Sequence, residues 1–109
     1  MPLQILTLEP KQPREIVPYT FDWSKFPAIA QGDSITAVSY VVYLSTDNPA
    51  SYSAITAMVA VTYFTATTTT CDVGSGTDTE GTYVLRAFIT CGATGRKYEQ
   101  EGVFEVQEI

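Results

Sequence analysis

From Gly81 to Val106 the chain reads as two alternating runs joined by a glycine-marked turn, and no other stretch constrains the fold as much. Tyr83, Leu85, Ala87, Ile89 and Cys91 fall on one side at period two, and Phe104 and Val106 resume the pattern beyond Gly92 and Gly95. A strand turns successive side chains to opposite faces, so strict alternation bounded by glycines predicts a hairpin with one face in a core.

The rest of the chain continues in the same mode. Between Glu15 and Trp23 the apolar set Val17, Tyr19, Phe21 and Trp23 is expected to face the core. Ser24 to Gln31 is a connection, with Pro27 and Gly32 as breakers. Ile35 to Leu44 is a strong strand with Val38, Tyr40, Val42 and Leu44 on one face, while Val41 and Tyr43 make the other face apolar too. A polar loop from Ser45 to Ser53 is centred on Asp47-Asn48-Pro49. Ile55 to Phe64 is a further strand; its alanines suit a helix, but Val59, Val61, Thr62, Tyr63 and Phe64 favour extended backbone. Thr65 to Val73 continues extended through its threonine run, and Gly74 to Gly81 is a flexible loop. Six to eight short strands with regular turn signals and no convincing helix predict an antiparallel two-sheet sandwich, all-β.

Residues 1–14 read as an N-terminal extended arm and residues 15–109 as one sandwich domain. Pro2, Pro10 and Pro13 keep the arm out of helices and central strands. Ile5, Leu6 and Leu8 give it apolar content that a linker does not need. Two roles fit: an edge strand on its own domain, or a strand added to a neighbouring subunit.

At 109 residues a chain buries roughly 65% of its unfolded surface, enough for a core without metals or disulfides. Its 45% hydrophobic residues fit a globular class. The net charge is −6, and of six Lys and Arg only Arg96 and Lys97 are adjacent, which argues against nucleic acid as a partner. No apolar run approaches the length that crosses a bilayer, so no membrane role is expected. The N-terminus lacks a basic region and a long enough apolar stretch for a secretory signal. In a reducing compartment Cys71 and Cys91 read as small buried hydrophobes, with a disulfide the lesser alternative.

Absences decide the chemistry. Without histidine there is no Ser-His-Asp triad and no histidine metal site. Two cysteines cannot hold zinc alone, and no glycine-rich segment links a strand to a helix as a phosphate cradle would require. No catalytic residue and no cofactor is therefore expected. Asp72, Asp78 and Glu80 around Gly74 and Gly76 are oxygen ligands of the kind Ca²⁺ takes, but the spacing is not that of an EF-hand loop, and solvated turn carboxylates are the simpler reading. Trp23 reads as a core aromatic and Asp22 as a surface or turn-capping carboxylate. Tyr43, Tyr52 and Tyr63 are candidates for a carbohydrate or protein contact, against the alternative of strand packing.

In order, the chain carries Phe21-Asp22-Trp23, Gly32-Asp33-Ser34-Ile35, Tyr40, the Thr-rich Phe64 to Thr70, Gly81-Thr82-Tyr83 and the Gly95-Arg96 turn. This skeleton, over residues 13 to 107, resembles small phage and prophage virion-associated proteins with an immunoglobulin-like fold. Tyr40 stands where that pattern has Trp, the Ser45 to Ser53 loop is long, and Cys71 and Cys91 are particular to this chain. The resemblance implies an immunoglobulin-like antiparallel β-sandwich of about seven strands. It also implies a non-enzymatic bacteriophage virion structural protein, made in the host cytoplasm and assembled in multiple copies.

On that resemblance the expected role is a capsid decoration or cement subunit, or a head–tail junction accessory. The expected partners are the major capsid protein or head–tail proteins, with Ile5, Leu6 and Leu8 as anchors and Tyr52 as a further partner-binding residue. Removal of residues 1–12 is expected to leave the sandwich folded while weakening incorporation into particles. The alternative is an immunoglobulin-like binding module for a host surface glycan or protein.

Overall fold

A computed structural model describes residues 5–108, with side chains from Leu6 onward. Among these residues seven strands form two sheets in a sandwich-like, all-β arrangement. They are β1 (Ile5–Thr7), β2 (Val17–Asp22), β3 (Ile35–Leu44), β4 (Val59–Phe64), β5 (Thr68–Val73), β6 (Gly81–Cys91) and β7 (Lys97–Val106). One sheet has the order β1-β7-β6-β3 and the other β2-β5-β4. All pairings are antiparallel except β1 on β7, where Ile5 lies opposite Glu101 and Thr7 opposite Val103.

The β6–β7 hairpin has the expected face. Tyr83, Leu85, Ala87, Ile89, Cys91, Phe104 and Val106 are all buried. Across the sandwich they meet Val17, Tyr19, Phe21 and Trp23. Each fully buried side chain of this size contributes roughly 1.5–3 kcal/mol of transfer free energy. Aromatic rings bridge the sheets, Tyr19 to Phe104 at 5.3 Å and Phe21 to Tyr40 at 6.0 Å edge-on, while Tyr83 stacks on Phe104 at 5.6 Å within one sheet. Trp23 donates its indole N–H to Thr69 Oγ1 at 2.9 Å, and the Tyr40 hydroxyl shares the same threonine oxygen. The Phe-Asp-Trp segment, Tyr40 and the Thr-rich strand thus meet in one buried network.

Four local differences from the sequence reading have physical causes. Pro27 opens a one-turn helix, α1 (Pro27–Ala30), because its fixed φ suits the first helical position; Gly32, at φ +103°, reverses the chain after it. A 3₁₀ turn at Thr56–Met58 delays β4 to Val59. The threonine run is broken by a hairpin turn in which Thr65 Oγ1 accepts from the backbone N–H groups of Thr67 and Thr68, a serine/threonine turn without glycine or proline. On β3, Leu44 is exposed while Tyr43, on the outer face, is only 1% exposed. Tyr52 stacks on it at 4.4 Å and 13°, and the Arg86 guanidinium sits 5.5 Å from the Tyr43 ring.

Candidate functional site

Asp33 joins the two ends of the molecule's most recognisable sequence pattern. Its carboxylate accepts from the N–H of Ala93 and Thr94, both at 3.0 Å, and from the Thr94 hydroxyl at 2.8 Å. The Gly32-Asp33 corner therefore clamps the Gly92 to Arg96 turn between β6 and β7. Gly95, at φ +70°, makes the turn possible, and its N–H donates to Cys91 O at 3.0 Å. These donors, Ala93 first, pull the Asp33 carboxyl down to about 2. Asp22 caps Ser24 N–H at 2.9 Å, which lowers its pKa in the same way.

At the opposite end the arm closes over the core. Beyond β1, Leu8 N–H donates to Val103 O at 2.8 Å and Lys11 N–H to Glu105 O at 2.9 Å. Leu8 packs against the core cluster at Gly102, where a Cβ would lie 2.5 Å from Leu8 Cδ1. Lys11 is completely buried, its ammonium 2.7 Å from Asp78 Oδ2 and 2.7 Å from Gln12 O. Asp78 also accepts from Ser75 N–H at 3.1 Å. Burial pushes the Asp78 carboxyl up, but the Lys11 and Ser75 hydrogen bonds outweigh it and leave its pKa lowered.

These contacts place the residues singled out from the sequence. Leu6 and Leu8 are half-buried on the molecule's own sheet, and Leu8 is part of its packing. Ile5 contributes backbone to β1, while its side chain lies outside the described residues. Tyr52 is half-buried and stacked against Tyr43. Tyr63 stands exposed on β4. Asp78 is committed to Lys11, whereas Asp72 lies on β5 and Glu80 in the exposed loop. Among the described residues no group of three or more Asp, Glu, Cys or His is placed to hold a metal ion. Leu8 takes the first of the two roles open to the arm, packing on its own domain, whereas Lys11 was not singled out because a lysine between two prolines reads as surface. Its partner lies 67 positions away in the chain, roughly the span of the whole domain.

Cys71 and Cys91 are both free and buried. Burial, with some help from Asp72, pushes the Cys71 thiol up to about 12, far from a reactive thiolate. The surface of the described residues includes two depressions. One, of about 510 Å³, is lined by residues including Ala37, Phe88 and Tyr98. The other, of about 390 Å³, lies between Leu44, Ile55, Met58 and Tyr83. The second is also lined by Ser75 and Asp78, where the Ser75 hydroxyl donates to Asp78 Oδ1 at 2.5 Å and the same carboxylate is held by Lys11. Among the described residues no helix is long and apolar enough to cross a membrane.

A family model described as podophage GP4 fiber-tail adaptor protein gp77 matches residues 11–105. The match begins at Lys11 of the buried ion pair and runs into β7. No curated protein matches the chain.

Proposed function

Because the chain belongs to the podophage GP4 fiber-tail adaptor family gp77, we propose that this phage virion structural protein sits where fibres join the tail and holds the two together by protein–protein contact. The single observation that carries this reading is the family match over residues 11–105, nearly the whole sandwich. The geometry is consistent with it. Both ends of the sandwich are closed by internal clamps, Asp33 on the β6–β7 turn and Lys11 on Asp78. A subunit that transmits load between two larger parts benefits from such rigidity, since little ordering entropy is lost when it docks.

On this reading the partners are fibre and tail proteins. Capsid decoration and the head–tail junction, the positions expected from the sequence, give way to the fibre attachment point because the family description concerns fibre and tail. The sandwich is further read as immunoglobulin-like, and Tyr52 and the arm remain proposed contacts, with the arm acting through Ile5 and Leu6.

Cryo-electron microscopy of the parent particle tests the proposal. The 109-residue chain should fill density between tail and fibre, and particles lacking it should keep heads and tails but lose fibres. Density on the capsid lattice instead would return the decoration role.

A further inference from the structure

A lysine is almost never fully buried, because taking its ammonium out of water costs several kcal/mol. Lys11 is fully buried all the same, and the Asp78 side chain against it is 1% exposed. A lysine amine is a nucleophile once it gives up a proton, and a carboxyl carbon is an acyl centre. The fold holds these two groups in contact, Nζ to Oδ2 at 2.7 Å, with both side chains shut off from solvent.

The surroundings of the carboxyl group suit acyl chemistry. Ser75 donates to Asp78 Oδ1 twice, from its hydroxyl at 2.5 Å and from its backbone N–H at 3.1 Å, and that N–H also lies 3.2 Å from Oδ2. Two donors on one oxygen are what a negative charge developing there needs. On the amine side, Nζ donates to Gln12 O at 2.7 Å, which fixes the direction of one N–H bond. The backbone holds the same register. Asp78 N–H donates to Pro13 O at 2.9 Å, and Gly74 passes so close to the chain after Lys11 that a Cβ would lie 2.5 Å from Glu15 O.

We infer that Lys11 and Asp78 condense into an intramolecular amide, Nζ to Cγ, with the ion pair as reactant and a covalent clasp as product. One proton first passes from Nζ to Oδ2 across their contact, which removes two buried charges and leaves the net charge unchanged. The freed amine attacks Cγ, and negative charge gathers on Oδ1 under the Ser75 donors. A second proton moves from nitrogen to Oδ2, Oδ1 re-forms the carbonyl, the Cγ–Oδ2 bond breaks and one water leaves. A C–N bond thus replaces a C–O bond, nothing is oxidised or reduced, and no co-reactant is needed. Fixed proximity supplies the drive, and exclusion of solvent keeps water from reversing the step. The bond closes a covalent loop from residue 11 to residue 78 that contains β2 through β5. The inference stands apart from the adaptor assignment, because the isolated chain carries every group that it uses.

Intact-mass spectrometry of the denatured full chain, with Met1 allowed for, should find it lighter than its sequence by one water, about 18 Da. The deficit should be absent from Lys11→Arg and from Asp78→Ala, and mass reads both variants whether or not they fold. After trypsin, tandem spectra should show a branched peptide that joins the Lys11 segment to the Asp78 segment, uncut after Lys11. A wild-type mass equal to that of the sequence, both fresh and after prolonged incubation of the folded chain, would overturn the inference. So would a deficit that survives Lys11→Arg, or one that leaves the two segments on separate peptides, as a succinimide at Asp78 would.

Discussion

Lys11 Nζ lies 2.7 Å from Asp78 Oδ2, and the two side chains are 0% and 1% exposed, so the arm is fastened to the domain by a buried ion pair. Removing one partner strands the other charge without water, at a cost of about 3 kcal/mol or more. Lys11→Ala should accordingly lower the melting temperature by roughly 10 °C or more. Deleting residues 1–12 should cost at least as much, so that truncation confounds stability with incorporation. Trp23 fluorescence in a urea titration reads both variants, and midpoints equal to wild type would contradict the structural role. Lys11→Met with Asp78→Leu should regain part of the loss, but not all, because Ser75 N–H loses its acceptor.

Acid should loosen the β6–β7 turn. The Asp33 carboxyl is depressed to about 2 by its Ala93, Thr94 and Ser34 donors, against about 3.9 in an unfolded chain. A depressed carboxylate contributes stability that is present above the unfolded value and lost as pH falls through the folded one. Asp78 and Asp22 are lowered too and act in the same direction. Wild type should therefore lose stability from about pH 4 down to about pH 2. Asp33→Asn should be less stable than wild type at pH 6, with the gap narrowing over that range. A gap that stays constant with pH would remove Asp33 as the cause.

Thr69 serves two buried aromatic residues at once, accepting from Trp23 Nε1 at 2.9 Å and sharing a hydrogen bond with the Tyr40 hydroxyl. Thr69→Val keeps the shape and removes both partners, and each orphaned buried polar group costs about 1–3 kcal/mol. Thr69→Ser keeps the hydroxyl and should lose less. Equal denaturation midpoints for the valine and serine variants would show that packing, not the network, matters here.

Gly102 lets Leu8 reach the sheet. A Cβ there would meet Leu8 Cδ1 at 2.5 Å and Cγ at 2.6 Å, and Leu8 belongs to the arm rather than to a core strand. Gly102→Ala should therefore displace the arm more than it unfolds the domain, costing about 1–3 kcal/mol. Limited proteolysis between residues 5 and 11 should speed up while the core resists. Unchanged cleavage would mean that the arm adapts without leaving.

What could be read in advance follows from the range of the forces involved. Tyr83, Leu85, Ala87, Ile89 and Cys91 alternate because one sheet face is buried, and that periodicity is local, so their placement was legible. Tyr43 was apolar at an outer position, but its burial depends on Tyr52 arriving from the following loop and Arg86 from a neighbouring strand. The Thr65 turn was hidden because a threonine side chain, rather than glycine or proline, closes it. The candidate contacts divide similarly. Leu8 and Tyr52 looked available in sequence, yet both have partners within their own fold. Val61, Tyr63 and Phe64 looked like an ordinary strand, and only the sheet order leaves them at an edge.

By itself the sequence determined an all-β chain, the buried face of its hairpin, the inward set of aromatics and the absence of histidine chemistry. These depend on residue type and on spacing along one strand. Only the tertiary structure decided that Asp33 clamps a turn sixty residues away, that Asp78 answers Lys11 rather than a cation, and that Val61, Tyr63 and Phe64 stay exposed on β4. Ion pairs, clamps and sheet edges are relations between segments distant in the chain, and no local pattern encodes which segments will become neighbours.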